Sequence, residues 1–123
     1  MNNIYSENIL DHFRNPKNFG RLEKPDATHK EVNPLCGDEF EVQIKLNGNS
    51  IKEIKFNGEG CAISTASMSM LTEKVKEMEI SEIKNLQEKD VLEILKIPIT
   101  PIRMKCAMLP LVAVKNVLEK IQI

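Results

Sequence analysis

The chain has 123 residues, of which 41% are hydrophobic and 28% are charged. It has 17 lysine and arginine residues and 18 aspartate and glutamate residues. This length is that of one ordinary domain with a single hydrophobic core, and we predict one domain over residues 1–123. A net charge of −1 leaves no basic surface for nucleic acid or an anionic membrane, and no apolar run is long enough to span a bilayer.

The amino terminus and the cysteine count indicate the compartment. The opening stretch "MNNIYSENIL" has no basic segment followed by an apolar core, so we expect neither a signal peptide nor a transit peptide. The three cysteines are an odd number and cannot form a complete set of internal disulfides. We therefore predict a cytoplasmic protein with reduced thiols.

The first predicted element is a short helix over residues 6–13 that Ser6 caps. Its apolar contacts are expected from Ile9, Leu10 and Phe13. The Asn-Pro pair at 15–16 ends it, because the residue before a proline avoids the helical region. Residues 17–33 are predicted to form a loop, with a short edge strand over 27–32.

The pattern then changes to that of a hairpin. Residues 39–46, "EFEVQIKL", alternate between polar and apolar side chains, which predicts a strand buried on one face. The following "NGNS" is typical of a hairpin turn. In the return strand "IKEIKFNG", Ile54 and Phe56 share a face but Ile51 is out of step, which predicts a bulge or a late start of the strand.

The second half of the chain is predicted to be helical. A helix from Ala62 should have one apolar side, formed by Ile63, Ala66, Met70, Leu71, Val75 and Met78. Residues 81–95 predict one or two short helices. The last helix should begin no earlier than about Ala107, because Pro110 lacks an amide hydrogen and fits only a first turn. The predicted fold class is α+β, a small three-stranded antiparallel sheet with helices packed on one face.

The three cysteines all lie at predicted element boundaries. Cys61 and Cys106 are each predicted at a helix N-terminus, where free amides and the helix dipole favour a thiolate. Cys36 lies at the loop entry to a strand. Asp38, two residues on, points the same way if the backbone is extended, and Gly37 lets the chain bend between them.

These side chains allow more than one interpretation. Three thiolates and a carboxylate are ligands that zinc or iron accepts, although the spacing is not that of a zinc finger. Each cysteine taken alone is as well explained as a buried filler, and Asp38 as a turn cap. His12 and His29 are more simply surface or capping residues than ligands.

Several long motifs resemble one known family. "YSENILDHFRNPKNFG", "CGDEFEVQIKL", "FNGEGCAISTASMSMLTE" and "IRMKCAMLPLVAVKNVL" occur in this order and together resemble the IscU/NifU-type iron–sulfur cluster assembly scaffold family. The likeness covers nearly the whole chain and includes all three cysteines. It implies the SufE/NifU-like fold of that family, which agrees with the α+β prediction.

The resemblance implies a scaffold rather than an enzyme. In this family a [2Fe–2S] cluster is assembled from iron and from sulfur supplied by a cysteine desulfurase, and is then transferred to apo-proteins. An electron-donating ferredoxin is a further implied partner. Carried onto this chain, Cys36, Asp38, Cys61 and Cys106 become the ligands of the cluster, or of zinc in the resting form. Cys36 and Cys106 are the candidate persulfide acceptors.

Lys105 departs from the IscU pattern, which usually has histidine before the third cysteine. Lysine there resembles the SufU branch, a group of zinc-dependent sulfurtransferases, and its charge would stabilise a thiolate at Cys106. However, the chain lacks the insertion that SufU proteins carry between the second and third cysteines. The alternatives are therefore a cluster scaffold, a SufU-like sulfur acceptor, or a zinc-stabilised interaction module. "ITPIR" at 99–103 only partly resembles the Leu-Pro-Pro-Val-Lys run that an Hsp70-type chaperone binds, so the resemblance does not extend to that partner.

Overall fold

A computed structural model describes residues 6–34 and 36–121, and these ranges form a three-stranded sheet and five helices. The elements in chain order are α1 Glu7–Arg14, β1 Ala27–Asn33, β2 Asp38–Asn47, β3 Ser50–Glu59, α2 Ala62–Val75, α3 Ile80–Lys84, α4 Glu88–Leu95 and α5 Pro101–Glu119. The predicted α+β class and three-stranded sheet are confirmed. The edge strand predicted over 27–32 is present as β1 and extends to Asn33.

The sheet is antiparallel, with β2 between β1 and β3. A two-residue turn at 48–49 joins β2 to β3, as the "NGNS" signal predicted. The predicted irregularity is also present, because the register between β2 and β3 shifts between Lys45 and Leu46 and pairs Leu46 with Ile51. The shift places Ile51 in the core, where it is fully buried.

The inner face of the sheet forms one side of the core. The fully buried side chains on β2 and β3 are Phe40, Val42, Ile44, Ile54 and Phe56. Helices α2 and α5 pack against this sheet and against each other. Gln43 was predicted to face solvent but is buried, because its side-chain oxygen accepts a hydrogen bond from the Leu22 amide at 2.7 Å.

Helix α1 follows the prediction at both ends. The Ser6 hydroxyl accepts a hydrogen bond from the Ile9 amide at 3.3 Å, and Asn15 caps the C-terminus. The predicted contacts are only partly correct. Ile9 is fully buried, but Phe13 is 41% exposed because it lies in the last turn, where α1 leaves a shallow groove beside Phe19 and Gly60.

Helix α2 is more deeply buried than its predicted single apolar face allowed. It packs against α1, β3, α4 and α5, so that every residue from Ile63 to Thr72 is buried. Small polar side chains make this close packing possible by bonding to main-chain carbonyls. Ser67 Oγ donates to the Ala107 carbonyl at 2.8 Å. Met78, predicted on the helix face, lies beyond the C-terminal end of α2 and is half-buried.

The predicted start of the last helix was wrong. Helix α5 begins at Pro101, with Thr100 as its N-cap, and Pro110 lies inside the helix. Pro101 fits the first turn because its missing amide hydrogen has no partner there. Pro110 removes one hydrogen bond from the interior, and burial of the surrounding apolar residues against α2, β1 and β2 offsets that loss. Cys106 therefore lies in the second turn of α5, not at its N-terminus.

Candidate metal centre

Cys36 lies in a tight turn between β1 and β2. The amides of Cys36 and Gly37 both donate to the Asn33 carbonyl, at 3.2 and 2.9 Å. Gly37 has a φ of +72°, so the backbone between Cys36 and Asp38 is bent, as the glycine permits. The bend leaves Cys36 exposed while still bringing its sulfur within 4.8 Å of an Asp38 carboxylate oxygen.

Asp38 is the first residue of β2 and is fully buried. Its Oδ1 accepts a hydrogen bond from the Cys61 amide at 3.0 Å. Its Oδ2 is buried and has no hydrogen-bond partner. Leaving a buried carboxylate oxygen unsatisfied is costly, by about 1–3 kcal/mol or more. A bound cation would remove that cost, so this atom is suited to be a metal ligand.

Cys61 caps α2, as the sequence predicted. Its sulfur accepts a hydrogen bond from the Ser64 amide at 3.4 Å and lies 3.5 Å from the Ser64 hydroxyl. The role of Ser64 was not predicted. The signal was present in the sequence, because a capping side chain bonds to the amide of the third helical residue, and "CAIS" places Ser64 at that position.

Gly60 fixes the approach of the chain to Cys61. A Cβ at this position would lie 2.7 Å from Cζ of the buried Phe40 ring and would also collide with the Ser64 hydroxyl. We expect Gly60→Ala to lower the free energy of unfolding by about 1–3 kcal/mol and to displace Cys61. Thermal melting and a zinc competition titration measure the two effects. An unchanged zinc affinity would show that Cys61 does not depend on this close packing.

Cys106 is fully buried and its sulfur lies 3.4 Å from that of Cys36. Burial raises the pKa of Cys106 to about 12, and Cys36, Cys61 and Asp38 act in the same direction. The metal-free site therefore holds Cys106 as a neutral thiol at pH 7. The prediction that a helix N-terminus would favour its thiolate was wrong, because α5 begins one and a half turns earlier.

Three of the four predicted ligands have donor atoms that lie close together, and the fourth, Cys61, lies beside them outside that group. One donor atom each of Cys36, Asp38 and Cys106 lies within 4.8 Å of the other two. Two contacts place Cys61 beside them. The Cys61 amide donates a hydrogen bond to Asp38, and the Cys61 thiol contributes to the raised pKa of Cys106. Three sulfurs and one carboxylate oxygen form a donor set that zinc and iron both accept.

Lys105 lies outside this group. It is exposed on α5, directly before the buried Cys106 in the chain. Successive helical residues point in directions about 100° apart, so the two side chains do not face each other. Lys105 instead borders a shallow apolar groove with Val32, Met108 and Val112.

The two histidines make contacts within the fold. His12 Nδ1 lies 2.7 Å from Ser69 Oγ, a contact that joins α1 to α2. Burial, and to a smaller extent the charge of Lys17, lowers the pKa of His12. His29 Nε2 lies 2.9 Å from Glu31 Oε1 on the same strand. Both were predicted to be surface or capping residues, but both are half-buried, and among the described residues neither belongs to the Cys36–Asp38–Cys106 group.

The fold and this donor set describe a small α+β domain with three thiols and a buried carboxylate at one candidate metal centre, and comparison with known families gives its class. The profile of the family described as "NifU-like N terminal domain" matches residues 4–122. The chain belongs to the NifU-like N-terminal domain family. None of the helices within residues 6–34 and 36–121 combines the length and apolar character that crossing a membrane requires.

Curated relatives carry two kinds of name. The chain is 40% identical over 92 residues to the iron–sulfur cluster assembly scaffold protein IscU 1 of Archaeoglobus fulgidus, with 75% of this chain and 60% of that protein covered. It is 36% identical over 115 residues to the scaffold protein IscU of Haemophilus influenzae, with 90% of each covered. It is also 40% identical over 80 residues to the zinc-dependent sulfurtransferase SufU of Bacillus subtilis, covering 65% of this chain and 54% of that protein.

A solved structure shares the whole architecture. The iron–sulfur cluster assembly scaffold protein for the SUF system of Fervidobacterium islandicum AW-1 matches with a TM-score of 0.81 and 28% identity. The match covers 94% of this chain and 96% of that one. The fold predicted from the resemblance is therefore confirmed over nearly its full length.

Proposed function

We propose that this protein is a scaffold on which a [2Fe–2S] cluster is assembled and then released to apo-proteins. The observation that carries the proposal is the convergence of three thiols and the unsatisfied buried Oδ2 of Asp38 at one site. Iron and sulfur are the substrates of this assembly. Cys36, Cys61, Cys106 and Asp38 are the proposed ligands, and zinc is the proposed occupant of the resting site.

The exposure of the thiols suggests how sulfur enters. A thiolate that attacks the outer sulfur of a donor persulfide takes that sulfur and releases the donor thiolate, so atoms and charge balance. Cys36 is exposed and accessible to a cysteine desulfurase in the present conformation. Cys106 lies beneath it, and the 3.4 Å between the two sulfurs allows sulfur to pass inward or Cys106 to react once the turn moves. Both remain proposed acceptors.

Release is the second half of the function. An oxygen ligand holds an iron–sulfur cluster less tightly than sulfur does, so one carboxylate among three thiolates suits a site that gives up its cargo. A cysteine desulfurase, an electron-donating ferredoxin and apo iron–sulfur proteins are the partners that this proposal requires. Three free thiols at one site also need a reducing compartment, which supports a cytoplasmic location.

The alternative is a SufU-like zinc-dependent sulfurtransferase, favoured by Lys105 and by the similarity to the Bacillus subtilis protein. Anaerobic reconstitution with iron, cysteine and a desulfurase separates the two functions. A stoichiometric [2Fe–2S] absorption spectrum that passes to an apo-ferredoxin, as measured on each protein after the two are separated, supports the scaffold. Zinc retained throughout, with strong stimulation of the desulfurase, would instead identify a sulfur acceptor.

The role of Asp38 in release can be tested directly. We expect Asp38→Ala to slow transfer of an assembled cluster to apo-ferredoxin by about tenfold or more. The oxygen of Asp38 is the ligand that an acceptor replaces most easily, and the variant leaves only the more tightly held sulfur ligands. The decay of visible absorption under air should slow in parallel. Transfer that is equally fast or faster in Asp38→Ala would contradict a labilising role.

Lys105 offers a test of its charge. A lysine ammonium group has three hydrogen-bond donors and no lone pair, so it ligates metal poorly. Because Lys105 is exposed and does not face Cys106, its charge acts on the approaching sulfur donor and not on the thiol. We expect Lys105→Ala to leave zinc affinity within about threefold of the unchanged chain and to slow sulfur acceptance from the desulfurase, with Lys105→Arg as the charge-retaining control. Loss of zinc from a folded Lys105→Ala chain would show that the lysine is a ligand.

A further inference from the structure

The two oxygens of the Asp38 carboxylate have different surroundings. Oδ1 accepts the Cys61 amide at 3.0 Å, whereas Oδ2 is buried without a partner. One of the carboxylate oxygens lies within 4.8 Å of the sulfurs of Cys36 and Cys106. Because Oδ1 is engaged by the Cys61 amide, Oδ2 is the oxygen left to complete a metal site.

The amide that Oδ1 binds belongs to the N-cap residue of α2. The helix cannot satisfy this amide, since the intrahelical bonds begin later in the chain and the Cys61 carbonyl accepts from Thr65. The bond from Asp38 therefore fixes the Cys61 main chain to the start of β2. Because the Cys61 sulfur in turn accepts from Ser64, the direction of the thiol is set at both ends of the residue.

We propose that Asp38 is a positioning residue for Cys61 as well as a ligand. Oδ1 anchors the N-terminus of α2 so that the Cys61 sulfur faces the other two thiols, and Oδ2 alone is offered to the metal. The proposal has two halves: Oδ1 anchors Cys61, and Oδ2 is a metal ligand. Only the second half rests on the proposed function. The anchoring half concerns the fold and can fail or hold independently of any bound metal.

Two substitutions separate the two halves. Asp38→Asn keeps an oxygen acceptor for the Cys61 amide but replaces one carboxylate oxygen with an NH₂ group, which cannot ligate a cation. Asp38→Ala removes both oxygens. We expect the Cys61 amide hydrogen to exchange at least about tenfold faster in Asp38→Ala than in the unchanged chain, because the variant lacks the hydrogen bond from this amide to Oδ1. Asp38→Asn should retain most of the protection.

The measurement is amide hydrogen exchange of the ¹⁵N-labelled full chain by NMR, with zinc bound and again after chelation. Asp26 provides a matched control, because its Oδ2 accepts the Leu46 amide at 2.7 Å. We expect Asp26→Ala to expose the Leu46 amide and leave Cys61 protected. Zinc X-ray absorption should show three sulfurs and one oxygen ligand in the unchanged chain, and competition with a chelator should show weaker zinc binding in both Asp38 variants, where water takes the place of Oδ2.

Each outcome decides one half of the proposal. A Cys61 amide that exchanges in the unchanged chain as fast as in an unstructured peptide overturns the anchor, even where Asp38→Ala does not fold. Equal protection in Asp38→Ala overturns it as well. A protected Cys61 amide in a chain that binds no zinc would keep the anchor and contradict the proposed metal site instead.

Discussion

Replacing Cys36, Cys61 or Cys106 by serine, one at a time, is expected to abolish stable cluster assembly. In the proposed site all three thiolates are ligands of the cluster, and a serine hydroxyl is a much weaker ligand for iron than a thiolate. The expected loss is from about one cluster per site to near zero. Visible absorption after anaerobic reconstitution measures it, and zinc content measures the effect on the resting site.

Serine places a hydroxyl at the fully buried Cys106 position, so thermal melting of each variant is needed to show that the loss does not reflect a collapsed fold. Met108→Leu is a suitable control, because it removes a buried sulfur two residues from Cys106 without removing a thiol. We expect this variant to assemble and hold a cluster normally. A cysteine whose serine variant still builds and keeps a full cluster is not a required ligand.

The sheet could be predicted from the sequence because local pattern and tertiary packing agree there. Alternation over 39–46 placed Phe40, Val42 and Ile44 on the buried face, and the displaced Ile51 revealed the register shift. The prediction failed where packing overrides a local rule. Pro110 should end or begin a helix, yet α5 continues through it because the segment is buried against other elements on most sides.

Residue type and position at element boundaries singled out Cys36, Asp38, Cys61 and Cys106 as candidate ligands, but the sequence could not show how they are arranged in space. Their convergence depends on tertiary structure, since Cys106 lies 70 residues after Cys36 and reaches it only through the packing of α5. The burial of Cys106 could not be inferred from its neighbours in the chain, because the prediction placed it at an exposed helix end.

Zinc affinity is expected to rise steeply with pH, and the state of Cys106 gives the reason. A thiol must lose its proton before it can ligate, so each proton released makes binding about tenfold stronger per pH unit. The pKa of Cys106 is raised to about 12, so this residue contributes a full proton throughout the range from pH 6 to 8.

The same pKa fixes the sign of the pH dependence of folding in the metal-free chain. An unfolded Cys106 ionises at its ordinary pKa of 9.0, whereas the folded residue stays protonated until about pH 12. The unfolded state therefore loses its proton first, and the free energy of unfolding should fall as pH rises between these values. Urea melts of chelated protein at pH 8 and pH 10.5 measure this loss, with Cys106→Ser as the control that removes the titrating group.

The predicted pH dependence of zinc affinity can be measured in two ways. Isothermal titration of zinc in buffers of different ionisation enthalpy counts the protons released on binding, and competition with a chelator at pH 6, 7 and 8 gives the affinity. At least one proton per zinc, with affinity rising about tenfold or more per unit, is the expected result. An affinity independent of pH would mean that the thiols are already ionised in the metal-free chain. In that case burial would not keep Cys106 protonated, and the metal-free site would already hold Cys106 as a thiolate.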